Sequence, residues 1–166
     1  MFELKSLSPE AIDRSLEKAD HYRLLNEPEE AESICLDVLA IDPRNEHALV
    51  TLLLALTDQF SQGLPDCVRR AQEVLPKLGS EYARAYYAGI ICERRANARL
   101  ASRIPGAEAA AYDLYRQAMQ WYEQADNISP PGNEDAVLRW NTCARQIMRH
   151  KLTPADEGVR EPLMLE

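Results

Sequence analysis

Glycine is scarce in this chain, at six of 166 residues, and long segments carry no run of β-branched residues. Those two absences remove the usual turn and strand signals. Ala, Leu, Glu and Arg are abundant instead, and that mixture points to an all-α fold. Long apolar runs are missing as well. No segment approaches 18 uninterrupted apolar residues, so no membrane-spanning helix is expected. The first ten residues, MFELKSLSPE, have neither a basic start nor an apolar stretch, so they do not read as a signal peptide. Cysteine pairs at metal or redox spacing are absent. Cys35, Cys67, Cys92 and Cys143 lie far apart, with no CxxC and no Cys/His ligand pattern. They read as reduced core thiols of a cytoplasmic protein.

Signatures of catalysis are also missing. His21, His47 and His150 fall on separate expected helices, and HExxH, GxSxG, P-loop and dinucleotide-binding patterns do not occur. The acid pairs Glu29–Glu30 and Glu134–Asp135 sit in first helical turns, where the helix dipole alone favours them. No enzyme activity, metal or cofactor is expected.

The formal charge is −8, which argues against general nucleic-acid binding. It is unevenly placed. Residues 1–66 hold 14 acids and 5 bases, whereas residues 67–166 hold 13 acids and 14 bases.

Helix starts and stops punctuate the rest. Ser8-Pro9-Glu10 is a start, with a hydroxyl, a proline and an acid in order. Pro28 opens a second helix that stops at Asp42-Pro43, since proline cannot continue a helix. A third, from about Asn45 to Phe60, is apolar nearly all round and reads as a sandwiched helix. A fourth covers about 65–78, with Gly79 ending it and Ser80 placed to cap the next. Two long helices follow, about 80–103 and 107–127, broken by Ile104-Pro105-Gly106. Asn133 is placed to cap the seventh, which runs to about Lys151.

Two stretches repeat a pattern. AESICLDVLAIDPRN (31–45) and AMQWYEQADNISPPGN (118–133) share little identity. Their marks fall at the same offsets: Ala31, Cys35, Val38 and Pro43 against Ala118, Tyr122, Ala125 and Pro130. Ala19 and Tyr22 precede the first set, and Gly89 and Cys92 precede the second. This resembles the tetratricopeptide repeat, a helix hairpin of 34 residues with small residues where its helices cross and a proline at its end. Small residues permit close approach, bulky ones fill the gaps, and the proline frees the next unit to stack.

The resemblance covers about 12–150. It implies antiparallel helix hairpins stacked as a right-handed solenoid, in one domain over 1–152. The units run about 12–45, 46–81 and 82–132, with a capping helix at 133–151 and a flexible tail at 153–166. The middle unit is weakly marked, with Leu53 where a small residue is expected. The 87-residue offset between the two stretches exceeds two whole units, and 17 of the extra residues fall between the helices of the third. Shared between both helices, they add roughly 12 Å to that hairpin at about 1.5 Å per residue.

The resemblance also implies a ligand groove on the concave face, lined by the first helix of each unit. The first unit contributes Leu16, Asp20 and Arg23, and the second contributes positions such as His47 and Asp58. The third contributes Tyr86, Ile90, Glu93 and Arg94, and the last helix Asn141 and Arg145. Asn141 and Arg145 share a helical face and suit a carboxylate or a backbone amide. Relatives that grip a chaperone's C-terminal carboxylate carry lysine and asparagine where this chain has Leu16 and Asp20. An acid there repels a carboxylate, which excludes that ligand.

Arg95, Arg99 and Arg103 form a stripe at every fourth residue on the lengthened hairpin, beside Arg94. Such a stripe suits an acidic or phosphate-bearing partner, or pairs internally with Glu93, Glu108 and Asp113. Eight of the eleven aromatics cluster between Tyr82 and Trp140. Most are expected in the core, with Tyr86 and Tyr112 the candidates for exposed anchors. The expected function is that of an adaptor holding a peptide or helix of another protein, with no nucleic-acid or membrane partner. The alternatives are a structural subunit that self-associates through the long hairpin and an accessory protein to an enzyme.

Overall fold

The computed structural model describes residues 1–63 and 65–155. Among them are seven α-helices and no strand: α1 (Ile12–Leu24), α2 (Pro28–Ile41), α3 (Glu46–Thr57), α4 (Pro65–Val74), α5 (Glu81–Ser102), α6 (Ala107–Asn127) and α7 (Asp135–His150). Helices adjacent in sequence pack against each other throughout. α1 also touches α3, and α3 touches α5.

Local chemistry sets most of the boundaries. Asn45 caps α3 by accepting from Ala48 N–H at 2.9 Å, and Ser80 caps α5 by accepting from Ala83 N–H at 3.0 Å. Ser8 makes no such bond, and a short 3₁₀ turn over Pro9–Ala11 leads into α1 instead. Asn133 lies one residue before the N-cap of α7, where its side chain accepts from Asp135 N–H at 3.1 Å. α1 ends on Asn26, which adopts φ 59° and lets Glu27 N–H bond back to Tyr22 C=O at 2.9 Å. This left-handed close satisfies carbonyls that the last turn would otherwise leave open. α7 ends the same way through Lys151, and Leu152 N–H reaches Ile147 C=O at 3.0 Å. Leu152 is buried in the core, so chain order extends past the helix. Residues 153–155 have no regular secondary structure, and the remainder of the expected tail, 156–166, lies outside the described residues.

Two main cores share α5. The first joins α1–α4 to Ala83 and Ile91, and the second joins α6 and α7 to Ala85, Ile90, Cys92 and Ala96. The expected close-approach positions are all deeply buried. Ala19, Ala31 and Ala118 have no exposure, and a Cβ on Gly89 would come within 2.5 Å of the Tyr122 ring. Leu53, where a small residue is expected, is also fully buried. α5 and α6 have 22 and 21 residues against 10 to 16 for the other helices, which makes theirs the longest hairpin.

Candidate partner-binding groove

Arg23 sits in the last turn of α1 and reaches across to Asp58, just past α3. Its Nε donates to Oδ2 at 2.8 Å and its Nη2 to Oδ1 at 3.3 Å. A forked pair of this kind fixes orientation as well as charge. Arg94 approaches the same carboxylate from α5, at 3.7 Å. That is an ion pair too long for a hydrogen bond, so its donors are uncommitted at Asp58. One carboxylate thus sits between two guanidiniums from the first helices of two hairpins.

These three side chains line a cleft of about 400 Å³ that also takes in Leu24, Asn26, Ser61 and Asn97. Asn97 accepts from the Tyr115 hydroxyl at 2.5 Å, which anchors its carboxamide beside the cleft. Leu24 is 85% exposed, so a large apolar side chain stands open at the rim. One turn nearer the N-terminus of α1, Asp20 binds His47 Nε2 at 2.7 Å and accepts from Thr51 at 3.0 Å. The registers of α1, α3 and α5 therefore match along one face.

The expected groove residues divide sharply. Arg23 and Arg94 come together. Asp20 lies beside them and is held by His47 and Thr51. Leu16 and Ile90 are corrections: both are buried core residues, Leu16 against Val38 and Ala48, and Ile90 in the core of α5–α7. Neither offers surface to a partner. Tyr86 is half-buried and turns away from the cleft into an aromatic cluster. Its ring lies 5.8 Å from Tyr82, stacked, and 5.1 Å from Tyr87, edge-on. Asn141 and Arg145 do not join the groove. They lie roughly opposite Arg139 on α7, and Arg139 is the residue that faces α5. Exposed Leu138 and Met148 share their outward face.

The arginine stripe is corrected too. α5 ends at Ser102, and Arg103 takes φ 51°, leaving the helical path. Arg95 and Arg99 border a second cleft of about 580 Å³, while Arg103 borders a third near Pro105 and His150. Tyr112 is half-buried against the core of α5–α7, and the most exposed of the clustered aromatics is Trp121.

Sequence reasoning missed the role of Glu93. It is only 3% exposed, and both its oxygens are engaged. Tyr122 Oη donates to Oε2 at 2.5 Å, and Arg139 Nη1 to Oε1 at 3.3 Å. Burial, with the Glu93 charge and hydrogen bond added, pushes the Tyr122 phenol far above its ordinary range. A buried carboxylate held by α6 and α7 is a structural tie and is closed to ligands.

Among the described residues no helix is long and apolar enough to cross a membrane, and no three His, Cys, Asp or Glu side chains converge as metal ligands. All four cysteines are free and buried. Comparison with protein-family models, curated proteins and solved structures finds no match to this chain, so the side-chain geometry alone carries the functional argument.

Proposed function

We propose that this protein is a tetratricopeptide-like adaptor that holds a segment of another protein in the cleft between α1, α3 and α5. The observation that carries this is the Arg23–Asp58–Arg94 cluster. It sits where the first helices of successive hairpins converge, beside an uncovered Leu24. Uncommitted guanidinium donors next to exposed apolar surface are what a peptide needs for orientation and affinity together. The direct contacts of α1 with α3 and of α3 with α5 support a stacked-hairpin arrangement of the repeat kind. Residues 1–152 act as one unit in this proposal, working in the cytoplasm.

The test is selection of 12-residue peptides from a random display library on the immobilised protein, followed by binding of the selected peptides in solution. Leu24→Glu and Arg23→Ala are each expected to weaken them at least about tenfold, a loss of about 1.4 kcal/mol. Selected peptides that bind both variants as well as wild type would remove the cleft from consideration.

One observation favours a second role, as a subunit that self-associates. The outward face of α7 exposes Leu138 and Met148 by 64% and 67%, with Asn141 and Arg145 between them. Light scattering across a concentration series separates the two roles. A monomer at all concentrations eliminates the second.

A further inference from the structure

We infer that the distal half of α5 is a docking site for an acidic peptide segment bearing an apolar side chain. This deepens the adaptor proposal and rests on it, by giving the partner's chemistry. Among the described residues, the side chains of Arg95 and Arg99 have no ion-pair or hydrogen-bond partner, although the chain carries 27 acids against 19 bases. Carboxylates on α4 and α5 and at the end of α3 are committed elsewhere. Glu93 is held by Tyr122 and Arg139, Asp58 by Arg23, and Asp66 and Glu73 by Arg69. Among the described residues, the expected pairing of these two arginines with Glu93, Glu108 or Asp113 does not form.

They stand on the rim of the 580 Å³ cleft, whose apolar lining includes Phe60, Val68, Ala98 and Ile104. Ile104 is 61% exposed in the break between α5 and α6. The cleft shares Phe60, Ser61, Ala98 and Ala101 with the cleft of Arg23 and Arg94. Four guanidiniums and a single carboxylate therefore border two adjoining hollows. Guanidiniums favour carboxylates through paired, parallel hydrogen bonds. Side chains four apart on a helix are roughly 6 Å apart, close to the spacing of alternate residues in an extended peptide at about 3.3 Å each. A segment with acids at alternate positions thus meets both arginines, and an apolar side chain at the next alternate position, on the same face of the segment, fills the hollow. Nucleic acid is disfavoured: residues 1–66 carry 14 acids against 5 bases and repel a long polyanion.

The experiment is fluorescence anisotropy on the full chain with three labelled probes. The first is a 12-residue peptide with four glutamates and two leucines in a glycine–serine background. The second has glutamine for each glutamate, and the third is a 12-nucleotide oligouridylate. Wild type is expected to bind the glutamate peptide at least about tenfold tighter than the glutamine peptide, with the advantage shrinking as salt rises. Arg95→Glu/Arg99→Glu should abolish that preference, while Arg95→Lys/Arg99→Lys keeps much of it. Circular dichroism checks that each variant retains its helix content. Equal binding of the two peptides, no binding of either, indifference to charge reversal, or tighter binding of the oligouridylate would each overturn the inference. Equal binding of both peptides that Leu24→Glu abolishes would leave the adaptor proposal standing while removing this one.

Discussion

At the scale of single residues, the packing of α5 on α6 turns on Gly89. In an open helix, alanine is better than glycine by about 1 kcal/mol. Here a Cβ meets the Tyr122 ring at 2.5 to 2.9 Å. That ring is fully buried and its hydroxyl is tied to Glu93, so it has nowhere to move. Gly89→Ala is therefore expected to destabilise the protein by about 1–3 kcal/mol in urea unfolding, against the helix preference. In a Tyr122→Leu background the same change should be neutral or stabilising, and equal costs in both backgrounds would refute the clash. Tyr122→Phe keeps the ring and removes the donor to a buried carboxylate, with an expected loss of about 1–3 kcal/mol. The buried thiols add a pH dependence. Burial pushes Cys35 from 9.0 to about 12. An unfolded thiol releases its proton near 9 while the folded one holds it, so stability is full below pH 9 and falls as pH rises toward 12. The urea midpoint should drop between pH 7.5 and 10.5, and less steeply in Cys35→Ala. Gly89 and Tyr122 were legible as repeat marks. Glu93 was not, because its second partner, Arg139, lies 46 residues away and no local pattern links them.

At the scale of elements, the long hairpin is the feature the sequence announced most clearly, through the 17 residues between its helices. Its helix ends were less visible. Arg103 continues the stripe on paper, yet Pro105-Gly106 forces the chain to turn and Arg103 adopts a left-handed conformation that costs an L-residue about 1–2 kcal/mol. Arg103→Gly should raise stability by about 0.5–1 kcal/mol, measured as a higher urea midpoint. No gain would mean that the arginine side chain compensates for its backbone. The two halves of α5 should also differ in local stability. Residues 88–93 are buried between two cores, whereas Asn97, Arg99 and Ala101 are exposed. Amide hydrogen exchange is expected to be fastest over about 98–106 and slowest over about 88–96. Uniform protection along α5 would contradict the division into an anchored half and an accessible half.

At the scale of the whole molecule, charge and apolar surface are arranged around the α1–α3–α5 face. The resemblance placed Arg23, Asp58 and Arg94 on a common face, and their side chains do meet. It failed for Leu16 and Ile90 because a helix sandwiched between others has no free face at every expected position. It failed for Asn141 and Arg145 because α7 turns Arg139, not those residues, toward α5. Which face of a helix is open depends on its neighbours, and the sequence of the helix records only its periodicity. The most direct measurement is amide chemical-shift mapping of the ¹⁵N-labelled protein, titrated with a 12-residue peptide selected on it. Shifts concentrated on Leu24, Asn26, Ser61, Arg94 and Ala98 are the predicted result. Shifts confined to Leu138, Asn141, Arg145 and Met148 would contradict a binding cleft between α1, α3 and α5.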